Sequence, residues 1–159
     1  YHPLEIAYRF LLSEGITTLS LGASKPNDFD LPIKLANATQ KLSKTEIDVI
    51  TNIETESNKR LGITKCEQCR ACMPCPSEVP IPEILRLRNM YIGHGQEEFA
   101  KERYNLIGRA GHWWEKNNVN NCASCNFCVP KCPHKLDIPS LLKETHHLLI
   151  DKPKRRLWG

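Results

Sequence analysis

The chain has 159 residues, of which 40% are hydrophobic, and a formal charge of +4. That length suits one ordinary domain, or one small domain plus a fragment of another. No stretch approaches the ~18 apolar residues of a membrane span, and residues 1–20 lack the pattern of a signal peptide. A cytoplasmic location, where thiols stay reduced, is therefore the expectation.

Residues 3–13 predict an amphipathic helix that Pro3 opens and Gly15 stops. Residues 16–21, Ile-Thr-Thr-Leu-Ser-Leu, are β-branched and apolar and predict one strand. A turn-rich loop covers 22–28, and 30–42 return to a helical pattern. Ser43 and Glu46 form a capping box, after which Ile47, Ile50 and Ile53 mark the apolar stripe of a helix ending near Gly62. Further helices are expected from Pro82 to about Ile92, over 96–107, and from Pro139 to about Asp151, with Gly93-His94-Gly95 breaking the first of these. A lone strand makes no sheet. The chain also begins at Tyr1, almost directly on a complete helix, so it is expected to be the C-terminal portion of a longer protein.

All eight cysteines lie in two runs: Cys66-x2-Cys69-x2-Cys72-x2-Cys75-Pro76 and Cys122-x2-Cys125-x2-Cys128-x3-Cys132-Pro133. An isolated CxxC pair points to zinc as readily as to iron. Two triple runs, each closed by Cys-Pro, point to two [4Fe–4S] clusters, because two-residue gaps let a tight loop present three sulfurs to three irons of one cube. Structural zinc and a disulfide framework are the competing readings, the latter without secretory context. The halves repeat. Ile81-Pro82-Glu83-Ile84-Leu85 aligns with Ile138-Pro139-Ser140-Leu141-Leu142 at a period of 57 residues, and the last cysteine gap differs by one.

The pattern resembles two-cluster ferredoxins, in which the fourth cysteine of each run ligates the other cluster. The resemblance implies that Cys66, Cys69, Cys72 and Cys132 hold one cluster and Cys75, Cys122, Cys125 and Cys128 the second. Between the runs lie 46 residues that read as helices. This is similar to the α-helical ferredoxin domain built into larger oxidoreductases, such as the N-terminal region of dihydropyrimidine dehydrogenase and the iron–sulfur subunits of succinate dehydrogenase and heterodisulfide reductase. The likeness covers roughly residues 63–150. Two clusters with their thiolates would offset the formal charge of +4, so the basic balance is no argument for a nucleic-acid partner.

The first sixty residues resemble the end of an aldo-keto reductase barrel. The carrying residues are Ala7 to Leu12, Gly15 to Ser24, and Leu42-Ser43 with Glu46. The resemblance implies the seventh helix, the eighth strand and the cofactor loop of a (β/α)8 barrel, in which Gly22, Ala23 and Ser24 would approach the adenosine phosphate of a nicotinamide cofactor, NADP, in the full-length parent. That family's catalytic Asp, Tyr, Lys and His would lie upstream, so no catalytic tetrad is expected here. The expected fold is thus mainly α: a helix–strand–helix barrel remnant at 1–62 and an α-helical dicluster ferredoxin domain with a basic tail at 63–159. The expected function is an electron-transfer module of an oxidoreductase, with an upstream barrel domain or a redox protein as partner. A metal-stabilised helical interaction domain and a stand-alone electron carrier are the alternatives. Among single residues, His134 is a candidate for tuning a cluster. Trp113, Trp114 and the basic tail Lys152–Arg156 with Trp158 are candidates for shielding or docking.

Overall fold

His2, Pro3 and Gly15 define the first element. In a computed structural model describing residues 1–110 and 115–151, the His2 ring accepts a hydrogen bond from the Leu4 amide at 3.3 Å, and Pro3 opens helix α1, Pro3–Ser13. Gly15 leaves it at φ +85°, a region closed to most side chains. Helices α2 (Asp30–Leu35), α3 (Lys44–Leu61), α4 (Ile81–His94), α5 (Glu97–Tyr104) and α6 (Ile138–Leu149) follow. The chain divides into two compact units, Tyr1–Ile53 and Glu54–Gly159. No described helix is long and apolar enough to cross a membrane. Trp113, Trp114 and the tail 152–159 lie outside the described residues.

Two expectations in the first unit are corrected. Residues 16–21 are not a strand, and the described residues contain none. A strand is held by ladder bonds to a neighbour, and nothing in this unit offers one. Of the helix expected over 30–42 only the short α2 forms, ending at Leu35, and a 3₁₀ turn at Pro26–Phe29 leads into it. The capping box is present. The Ser43 amide and hydroxyl donate to Glu46 Oε2 at 2.8 and 2.7 Å, and the Glu46 amide returns a bond to Ser43 Oγ at 3.4 Å. These donors, with Arg9 of α1 beside the carboxylate, hold Glu46 below the usual carboxylate range. Of the unit's hydrophobic residues only Ile6 and Leu35 are buried. Leu4, Phe10, Leu11, Phe29 and Ile33 are exposed, as are Ile47 and Ile53 of the expected stripe.

The second unit has a continuous core. Ile81, Ile84, Leu85 and Leu87 of α4 pack in one buried cluster with Ala100 and Tyr104 of α5 and Leu142 and Leu149 of α6. Polar ties fix the helices. Arg88 of α4, 5% exposed, donates to Glu144 of α6 at 3.0 Å and to the Thr64 hydroxyl at 3.1 Å, so the buried cation is paired. The Tyr104 hydroxyl bonds His146 Nδ1 at 2.5 Å, and burial, with His147 nearby, holds that imidazole below its usual range. Asn105 caps the Leu149 carbonyl at 2.9 Å.

Gly93 corrects another expectation: it lies inside α4, and Gly95, in left-handed conformation at φ +65°, ends the helix instead. Gly93 is needed for close approach. A Cβ there would meet Ser57 Oγ at 2.5 Å and Leu61 Cδ1 at 2.7 Å, both on α3. Gly93→Val is therefore expected to destabilise the second unit by about 3 kcal/mol through overpacking, since valine recovers only a few tenths in helix propensity. Denaturant unfolding of the metal-loaded protein checks this, and an unchanged midpoint would refute it.

Candidate metal centre

Neither cysteine segment, 65–80 or 122–137, contains a helix or a strand. What shapes them is a repeated set of left-handed residues. Gln68 and Arg70 (φ 58° and 60°) correspond to Ser124 and Asn126 (51° and 59°), 56 residues on. Glu78 and Lys135 (52° and 53°) correspond at 57. The backbone thus repeats where the sequence repeats. Alternation of right- and left-handed residues turns successive amides to one side of a loop, the arrangement that favours an anionic group.

Two cavities each bring the last cysteine of one run beside the first three of the other. One cavity is lined by Cys66, Cys69, Cys72 and Cys132, with Pro82 and Leu85 of α4 and Ile138 from the start of α6. The other is lined by Cys122, Cys125, Cys128 and Cys75, with Pro139 and Leu142 of α6 and Ile81 from the start of α4. Each apolar wall is the other moved by 57 residues with the helices interchanged. Each cavity also meets the first turn of a helix, whose positive end favours negative charge.

Electrostatics group the sulfurs in the same way. Burial pushes the Cys66 thiol up, N–H groups of Gln68 offset part of that, and Cys69 and Cys132 act on it as neighbouring charges. Burial likewise raises Cys128, whose charged neighbours are Cys122, Cys75 and Cys125. Cys72, 8% exposed, is pushed up to about 11 by burial and then by Cys66, Cys128 and Cys69. Cys72 and Cys128 therefore bring the two groups close together. Thiols held neutral in this way must lose protons to bind metal, and a metal charge supplies the reason to do so.

The donor set fits iron–sulfur cubes. Among the described residues no three His, Cys, Asp or Glu side chains gather closely enough for a single ion. Sulfurs around one zinc would stand roughly 3.8 Å apart at a Zn–S bond of about 2.3 Å, whereas a cube spreads four thiolates over its corners. Cys69 and Cys125, the middle cysteines of the two runs, are exposed, so each cavity has an edge open to solvent.

Two residues that sequence reasoning passes over also act here. Asn89 of α4 clasps the Cys66 backbone, donating to its carbonyl at 2.7 Å and accepting from its amide at 3.4 Å. Gln68 Nε2 reaches Cys66 Sγ at 3.5 Å. Gln68 lies between the first two cysteines, and that position was its only signal. His134 lines the first cavity. Gly22, Ala23 and Ser24 form an exposed loop in the first unit, where the Ser24 and Lys25 amides donate to the Asp28 carboxylate at 2.9 and 3.1 Å.

Residues 65–137 match the family model of the 4Fe-4S dicluster domain. The match supports an iron–sulfur domain of ferredoxin type and, with it, an electron-transfer module. Neither the curated proteins nor the solved structures contain a match to the chain.

Proposed function

We propose that residues 63–159 carry two [4Fe–4S] clusters with crossed ligation and form the electron relay of an aldo-keto-reductase-like oxidoreductase, whose barrel would end in residues 1–62. The observation that carries the cluster reading is the pair of cavities, each lined by three cysteines of one run and the fourth of the other. Bound there, the clusters would supply one-electron redox chemistry. The chain's part is to hold eight thiolates, bury one edge of each group and leave Cys69 and Cys125 toward solvent, where a partner can approach.

Two features support the barrel link. One is the resemblance carried by Ala7 to Ser24. The other is the uncovered apolar surface of Leu4, Phe10, Leu11 and Ile33, which a barrel would cover. In that setting Gly22, Ala23 and Ser24 would meet an NADP phosphate, which would take over the amides now held by Asp28. The electron partner would be the barrel domain itself or a separate redox protein, in a reducing cytoplasm.

Protein purified without oxygen is expected to be brown, with about eight irons and eight sulfides per chain. Colourless protein with stoichiometric zinc would overturn the reading in favour of a metal-stabilised interaction domain. Coding sequence upstream of Tyr1 that encodes no barrel would remove the aldo-keto reductase link and leave a stand-alone carrier.

A further inference from the structure

The two halves repeat their left-handed residues but differ in the side chain that donates to a ligating sulfur. Gln68 and Ser124 occupy the same position between first and second cysteine, in the same left-handed conformation. The Gln68 amide folds back to donate to Cys66 Sγ at 3.5 Å and to the Pro82 carbonyl, in the first turn of α4, at 3.1 Å. A sulfur and a carbonyl both accept, so the nitrogen end of the amide faces them. Asn89 holds the Cys66 backbone at 2.7 Å and keeps the sulfur within reach. Serine, with a single carbon before its hydroxyl, cannot span two such acceptors from position 124.

An N–H donated to a ligating sulfur stabilises the more negative, reduced state of an iron–sulfur centre more than the oxidised state, and so raises its potential. We propose that Gln68 makes the centre of Cys66, Cys69, Cys72 and Cys132 the higher-potential one, so that the first half accepts an electron before the second. This rests on the two-cluster reading above. The transfer so favoured moves one electron from the second-half centre to the first, with no proton or ligand exchanged. Gln68 is a positioning residue for potential and touches no substrate.

Gln68→Ser gives the first half the residue that the second half already carries in this conformation. The chain, loaded without oxygen, is titrated with dithionite while EPR follows each centre. About eight irons should remain. One midpoint should fall by tenfold in the equilibrium constant for reduction, about 59 mV for one electron, and the other should stay. Ser124→Gln, with the Pro139 carbonyl where the repeat places the counterpart of Pro82, should raise the other midpoint. If Gln68→Ser loads poorly, Gln68→Met, uncharged, of similar length and without the N–H, carries the same expectation. Midpoints that stay put, or that move together, in a fully loaded variant overturn the inference alone. A wild-type protein that loads zinc in place of iron overturns the two-cluster reading and the inference with it.

Discussion

Changing Cys66 and Cys132 together to alanine is expected to remove one cluster and leave the other with its unperturbed EPR spectrum and about four irons per chain. The two residues are 66 positions apart in different runs, so ligation confined to each run predicts damage to both clusters. Crossed ligation places both in one cavity, beside Cys69 and Cys72. The complementary pair sharpens the test. Cys69 and Cys75 share a run but line different cavities, so their joint replacement should perturb both EPR signals. If Cys66 and Cys132 together abolish both signals while Cys69 and Cys75 together spare one, the exchange is refuted.

Both helices contribute to both cavities. Ile81 of α4 closes the cavity of the second run and Ile138 of α6 that of the first. Each cysteine run is thus roofed by its own loop and floored by both helices, and the core cluster joins both helices to six of the eight cysteines, all but Cys69 and Cys125.

Much of this was legible because it depends on residue spacing. Two CxxCxxC runs, each ending in Cys-Pro, and the recurrence of Ile-Pro after 57 residues are local facts, and the loops and helices follow them closely. That the last cysteine of each run would line the other run's cavity was legible only through likeness to two-cluster ferredoxins, since spacing alone allows ligation within each run. Gln68 escaped because its role depends on a left-handed backbone that aims the amide at Cys66 and Pro82, and glutamine carries no positional preference for such a site. The strand at 16–21 failed for a different reason. β-branched residues state a preference that only a neighbouring strand can realise, and none is present in the first unit. Gly93 failed as a helix breaker because Ser57 and Leu61 of α3 press against the same spot, where a residue without Cβ is required. Packing in the second unit outweighs glycine's weak helix propensity.

Stripping iron with a strong chelator under anaerobic conditions is expected to unfold the second unit while α1, α2 and the Ser43–Glu46 start of α3 persist. Six non-glycine residues of the cysteine segments hold positive φ: Gln68, Arg70, Glu78, Ser124, Asn126 and Lys135. At roughly 1 kcal/mol each or more, their conformations cost about as much as a whole domain's net stability of about 5–15 kcal/mol. Neither ladder nor helix bonds hold these segments; scattered turn bonds and the Asn89 clasp on Cys66 offset only part of that cost, and the ligands supply the rest. Loss of metal also leaves buried Cys72, and Cys66, Cys75, Cys128 and Cys132 packed against the core, lining two open cavities beneath the first turns of α4 and α6. Because α4, α5, α6 and the end of α3 from Glu54 hold about three fifths of the helical residues described, circular dichroism should lose about three fifths of its helical signal on chelation. The remaining signal should melt independently of iron. The lost part should return on reconstitution with iron and sulfide, and Gly93→Val should make that return less complete by weakening the same unit. Full helicity after complete iron removal would show that α4, α5 and α6 hold the cysteine segments without metal. The eight thiols would then be a site the fold prepares in advance, not one whose filling completes the fold.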